Sequence, residues 1–294
     1  MNNKLIRPKN IVIYGFLMPG IIIYAFIVVI PMILAMRFSL FNWSGGPKMH
    51  FSGFGNYLTL VQDKTFWISL KNNLVIIFFS VIGQVGIGFL LSVFLSSKLV
   101  KFKGFHRTVI FIPVILSSVV IGFLWTMIYN KDYGLLNWAL NSLHLSSLIQ
   151  PWLDDPKIVI YMVTIPIVWQ YIGLYMVIFM SSLQSIPKEI LEVAELDGAT
   201  GWKKTRYITF PLLYDTVKVA IMLCIAGNMK VFDHIFVMTG GGPGTSSTVM
   251  AQYAYNNSFV MFKLGYGSAV SIGIMVISLL LILVSRKLMG GNEK

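Results

Sequence analysis

The sequence predicts an all-α fold, a polytopic membrane helix bundle with six transmembrane helices. Composition is the first of three observations behind this expectation. Of 294 residues, 56% are hydrophobic and only 12% are charged, about half the charged fraction of an ordinary soluble domain; mean hydropathy is +0.76. The second is length. Uncharged runs of more than about 20 residues recur along the chain, enough to cross a hydrocarbon core ~30 Å thick. The third is the placement of the +12 net charge, which gathers in alternate segments between the apolar runs.

The spans fall near 11–34, 72–97, 108–129, 158–183, 212–238 and 264–285, within a single transmembrane domain covering 1–294. With the N-terminus inside, the inner segments hold 14 basic residues, from Lys4, Arg7 and Lys9 to Arg286, Lys287 and Lys294, and the outer segments hold 7. That bias places both termini in the cytoplasm. The basic balance therefore reports topology and anionic membrane lipid. It does not point to nucleic acid, because no basic domain stands clear of the membrane. The first apolar run is too long for a signal-peptide core and lacks a small-x-small cleavage site, so it reads as a retained span.

Between the first two spans, residues 37–70 are aromatic and turn-rich, with Trp43, Phe54, Tyr57 and Trp67 suited to the membrane–water interface. Lys98, Lys101, Lys103 and Arg107 form a basic inner loop. The outer loop 130–157 carries Leu135, Leu136, Trp138, Ala139 and Leu140, a short amphipathic stretch able to lie on the surface. In the fifth span, charges flank a short uncharged core: Asp215 and Lys218 on one side, Lys230 and Asp233 on the other. Each charge at the bilayer centre would cost roughly 2.5–3.5 kcal/mol. The spacing of three predicts that each pair shares a helix face and neutralises itself, on a helix lining a pathway. Three glycines and a proline in Thr239-Gly240-Gly241-Gly242-Pro243-Gly244 predict an irregular outer loop. The single cysteine, Cys224, sits in an apolar run and reads as a small packing residue.

The loop 184–211 is the most informative segment. Pro187 can open a helix, because its missing N–H costs nothing in a first turn. Glu189, Glu192 and Glu195 then recur along one side, with Ile190, Val193 and Ala194 on another. Gly198 can end the helix in a left-handed cap. A second segment carrying Lys203, Lys204 and Arg206 runs to Pro211. Physically this is a helix–bend–helix outside the membrane, anchored at both ends.

The pattern Glu192-Val193-Ala194, three residues, Gly198, nine residues, Ile208-Thr209-Phe210-Pro211 resembles the cytoplasmic signature loop of ABC-importer permeases. Val193 and Phe210 depart from the family's Ala and Leu, and Thr205 stands where an aromatic is usual. Asn42-Trp43, the Gly-x-x-Asn-Tyr of 53–57, Thr239–Pro243 and Tyr266-Gly267-Ser268-Ala269 resemble the carbohydrate-uptake group of those permeases, closest to shorter relatives of the larger maltose-importer membrane subunit. The resemblance implies a coupling-helix loop in which Glu189, Glu192, Ala194, Asp197, Gly198, Ala199, Ile208 and Pro211 meet an ATPase. It implies a bacterial cytoplasmic (inner) membrane location and three partners: a second homologous permease subunit, a dimer of ABC ATPase subunits and an extracytoplasmic solute-binding protein. It implies inward sugar movement by alternating access, with ATP and Mg²⁺ used by the partners and no cofactor bound by this chain.

Sugars need amide or hydroxyl partners and an aromatic face. Polar groups inside spans are few (Gln84, Ser117, Ser118, Gln170 and Asn228), and Ser117, Ser118, Gln170, Tyr171 and Asn228 are the candidates, together with Lys230 and Asp233. The maltose-permease resemblance extends only to Ser118 and Asn228; Ser117 and Ser118 follow Pro113, which can re-aim its helix. No catalytic constellation is present. Gly198–Thr205 mimics a phosphate loop without its spacing or a preceding strand, and the four histidines are too scattered for metal ligation. The competing reading is a self-sufficient secondary transporter or channel using Lys230 and Asp233 as a relay, which usually carries internal repeats; none is found.

Overall fold

The computed structural model describes residues 10–97 and 100–290; Lys4, Arg7, Lys9, Lys98 and Lys294 of the basic bias lie outside them. Almost all regular structure is helical, as the sequence predicts. Four helices are long and apolar enough to cross a membrane, or six if each of two bent pairs is one span. The chain divides into two compact units, 1–62 with 254–273, and 63–253 with 274–294.

In the first unit, α1 (Ile11–Phe38) is apolar along 28 residues, and none of them is buried. A two-stranded hairpin, β1 (Phe41–Asn42) with β2 (His50–Phe51), and α2 (Gly55–Gln62) follow. Asn56 holds this connection by donating to the carbonyls of Ser39 and Phe41 at 2.8 and 2.9 Å. Gly265 packs on the same carbonyl edge, where a Cβ would sit 1.9 Å from the Phe41 oxygen. The expected outer loop 37–70 is thus largely structured.

The second unit carries most of the remaining elements; the last two helices, Met250–Tyr255 and Leu264–Met289, each belong partly to both units. Helix α3 (Lys64–Ser96) is 33 residues long and begins eight residues before the expected span. Asp63 caps it by accepting from the amides of Thr65 and Phe66. The expected third span is two helices, α4 (Lys103–Ile115) and α5 (Ser118–Ile128), meeting at 98°. After α6 (Leu135–Ser142), the surface helix expected in the outer loop, comes α7 (Val159–Gln184). This long helix is the hub of the unit. Ile76, Val159, Val163, Ile167, Ile235 and Val249 form one buried cluster; Val85, Phe89, Tyr175, Phe179, Val217 and Cys224 form another.

Helices in lipid gain little from apolar burial and associate through close packing of small residues. Gly173 of α7 meets the backbone of α4 so closely that a Cβ would lie 2.4 Å from the Ile110 carbonyl oxygen. Pro166 leaves the Met162 carbonyl without its helical donor, and the Tyr129 hydroxyl supplies one at 3.1 Å.

Then follow α8 (Lys188–Leu196), α9 (Gly201–Leu212) and α10 (Tyr214–Asn228), the last two meeting at 73°. Here the sequence expectation needs correction. The fifth span does not run to 238: α10 stops at Asn228, a turn follows, and α11 (Asp233–Met238) starts afresh. Asp215 and Lys218 pair within α10 as expected, at 2.5 Å. Lys230 and Asp233 do not share a helix, and no ion pair joins them among the described residues. Beyond the glycine-rich loop, which is irregular as predicted, lie α12 (Met250–Tyr255) and α13 (Leu264–Met289).

Candidate functional site

Two places carry chemistry that packing does not use up. The first is the polar loop between α7 and α10. Pro187 stands one residue before α8 with extended backbone, and the helix ends as the glycine pattern predicts. Gly198 has φ +78°, its amide donates to the Glu195 carbonyl, and the Ala199 amide donates to the Ala194 carbonyl at 2.8 Å. That pair of bonds is a Schellman stop, which needs a residue at ease in the left-handed region. Lys204 of α9 reaches back to Glu195 at 2.8 Å and sets the second helix against the first.

The surface of α8 is unusual for a water-facing helix. Only Ala194 is buried, while Ile190, Val193 and Leu196 stand exposed beside Glu189, Glu192 and Asp197. Leu196 is 87% exposed, and Trp202 and Tyr207 on the following segment are 66% and 72% exposed. Ala199 and Ile208 are half-buried and Pro211 is exposed. Thr205, at the family's aromatic position, is buried. Apolar and acidic side chains presented together suit a protein partner better than solvent alone.

The second place is a cavity of about 420 Å³ lined by α3, α5, α7, α10 and the turn into α11. This volume lies in the range of small-molecule sites. Of the pathway candidates, Ser118, Tyr171, Asn228, Lys230 and Asp233 line it, joined by Gln84, Tyr175 and His234. Ser118 opens α5 and its hydroxyl lies 3.4 Å from that of Tyr171. Asn228 ends α10; its amide donates to the Cys224 carbonyl at 2.9 Å and its oxygen accepts from Ser80 at 3.2 Å. Lys230 and Asp233 are exposed at the open side.

Ser117 and Gln170 are not among the lining residues. Ser117 is exposed at the break between α4 and α5. Gln170 is buried, donating to the Leu116 carbonyl at 3.0 Å and accepting from His234 at 2.7 Å. Because its Nε2 is spent on Leu116, its Oε1 must face His234, so Nε2 of His234 carries the proton. Gln170 therefore holds the helix break that aims Ser118.

Tyr175 and His234 were not among the sequence candidates, and Gln84, one of the few polar residues inside spans, was not chosen as one. Gln84 lies in a π-helical stretch of α3, Val81–Ile87, an irregularity often found beside functional sites. Its Nε2 donates to the carbonyl of Ile167 at 3.2 Å. Among the described residues, no three His, Cys, Asp or Glu side chains converge in a way that could hold a metal ion.

Residues 84–289 match a protein-family model described as "Binding-protein-dependent transport system inner membrane component". The Bacillus subtilis probable ABC transporter permease protein YurN is 35% identical over 285 residues, covering 96% of this chain and 97% of that protein. The trehalose/maltose transport system permease protein MalF of Thermococcus litoralis is 33% identical over 226 residues, 77% of this chain and 75% of that one. Among solved structures, a chain of a bacterial alginate ABC transporter, in complex with alginate pentasaccharide-bound periplasmic protein, superimposes with a TM-score of 0.81. It is 22% identical, and the match covers 96% of each chain.

Proposed function

The chain belongs to the family of binding-protein-dependent transport system inner membrane components, and on that premise we propose that it is the membrane-spanning permease subunit of an ABC importer that carries a sugar or oligosaccharide inward. The carrying observation is the cavity, whose wall combines a serine hydroxyl, an asparagine, a glutamine and two tyrosine rings. Such a lining offers hydrogen-bond partners to sugar hydroxyls and flat apolar faces to sugar C–H groups. A relative named for trehalose and maltose transport supports the substrate class.

The chain does not hydrolyse ATP. A dimer of ABC ATPase subunits uses ATP with Mg²⁺ and seats α8 in a surface groove through Glu189, Glu192, Asp197 and the exposed apolar residues. Its closure displaces α8; the Gly198 stop, α9 and the 73° junction with α10 form one connected path from there to Asn228 in the cavity wall. A second homologous permease subunit completes the pathway, consistent with the unburied α1 and with Lys230 and Asp233 at the cavity's open side. An extracytoplasmic binding protein delivers the solute. Both termini face the cytoplasm of a bacterial inner membrane.

Two experiments test this reading. In a chain with Cys224 replaced, single cysteines at Lys204 and Thr245 are expected to react with impermeant maleimide from the cytoplasm and from outside, respectively; labelling of both from one side would sink the topology. In vesicles holding the whole transporter, sugar uptake is expected to require the added ATPase. Asn228→Ala with Ser118→Ala is expected to lower uptake roughly tenfold, the factor that ~1.4 kcal/mol of lost hydrogen bonding produces, while the ATPase still co-purifies. Unchanged uptake would return both residues to helix packing.

A further inference from the structure

Two adjacent buried asparagines on α3 connect parts of the chain that lie far apart in sequence. Asn72 donates through its amide to the carbonyls of Ser246 and Thr248, at 3.0 and 2.9 Å. Both carbonyls belong to the glycine-rich outer loop. That loop is itself tightly bonded: Thr239 to Ser247 at 2.8 Å, Ser247 to the Gly242 carbonyl at 2.6 Å and Thr248 to the Gly241 carbonyl at 3.0 Å. A push on its exposed tip at Thr245 therefore moves the loop as a body.

Asn73, the next residue, is fully buried and uses both ends of its amide. Its oxygen accepts from the Met250 amide, where the loop becomes α12, at 2.8 Å. Its nitrogen donates to the Asn228 carbonyl at 2.8 Å. The last carbonyls of any helix lack intrahelical donors, and this one lies where α10 must stop for the chain to turn through Lys230 into the cavity wall. Besides the Val231 amide of the following turn, at 3.4 Å, Asn73 supplies a shorter donor from another helix.

We propose that Asn72 and Asn73 are positioning residues that fasten the outer loop to the end of α10, so that displacement of the loop at the outer face changes the cavity wall at Asn228–Asp233. This deepens the importer reading and rests on it for its purpose, since the outer loop is where a solute-binding protein would press. The coupling itself depends only on the hydrogen bonds. A buried polar tie with every group satisfied has two states, made and broken, and breaking it exposes amides on both sides.

The test is hydrogen–deuterium exchange of the full chain in lipid nanodiscs, read in peptides covering 228–233 and 239–250. Asn72→Asp removes the two donors to the loop and touches nothing in the cavity. It is expected to raise exchange in both peptides, by about fivefold in 228–233, the factor that one lost net hydrogen bond produces. Exchange confined to 239–250 would overturn the proposal. Should that variant fail to insert, Thr245→Cys carrying a bulky maleimide, in a chain with Cys224→Ser, applies the same load and has the same two outcomes. Neither measurement uses ATPase or sugar, so the coupling and the transport reading can fail separately; uptake independent of added ATPase would sink only the latter.

Discussion

Gly198→Val is expected to insert in normal amount and bind the ATPase, yet lose roughly nine-tenths of its sugar uptake while ATP is still hydrolysed. The glycine sits at φ +78°, and a Cβ built there meets nothing within 4 Å. Crowding is therefore not the cost; backbone conformation is. A β-branched residue resists the left-handed region by roughly 1–2 kcal/mol, enough to shift a two-state bend by a factor of about 5–30. The Schellman bonds from Gly198 and Ala199 would be released, and α8 would no longer be rigidly aimed at α9. Reconstituted vesicles measuring uptake and phosphate release together check this. Parallel loss of both activities would mean that the residue serves docking; retention of both would mean that the bend transmits nothing.

Gly173→Leu is expected to have the largest effect on stability of any substitution considered. At this position even a Cβ would stand 2.4 Å from the Ile110 carbonyl oxygen and 2.9 Å from Phe111 Cα. Those are backbone atoms of α4, which no side-chain rotation can clear. The helices must part, at about 3 kcal/mol for overpacking of this severity. That corresponds to a fall of roughly 6–12 °C in the midpoint of thermal unfolding in detergent. Gly104→Leu is the control, since nothing lies within 4 Å of its would-be Cβ. A midpoint for Gly173→Leu equal to that of the control would show that α4 and α7 separate without cost.

The site was legible in the sequence to different depths. The backbone of the polar loop between α7 and α10 was readable nearly to the residue, because its determinants are local: a proline ahead of α8, a glycine at its left-handed stop, and charges at helical spacing. The cavity was readable only as residue types. Ser118, Tyr171 and Asn228 line it; residue type and position alone do not separate Asn228 from Gln170, a buried amide that instead supports a helix break, and only the family resemblance favoured Asn228. Gln84 and His234 carried no signal beyond being polar in apolar runs.

Membrane class and helical content followed from the sequence by itself. Hydropathy sums over a window of chain, so it survives ignorance of packing. Where the helices break was decided by tertiary structure. A break at membrane depth frees backbone carbonyls that water does not reach, and it persists only where another element supplies donors. At the 98° bend between α4 and α5, the Leu116 carbonyl is met by Gln170, 54 residues away. At the end of α10, the Asn228 carbonyl is met by Asn73, 155 residues away. The fifth span therefore reads as continuous in sequence and stops at Asn228 in the fold, where a donor on α3 joins those of the local turn.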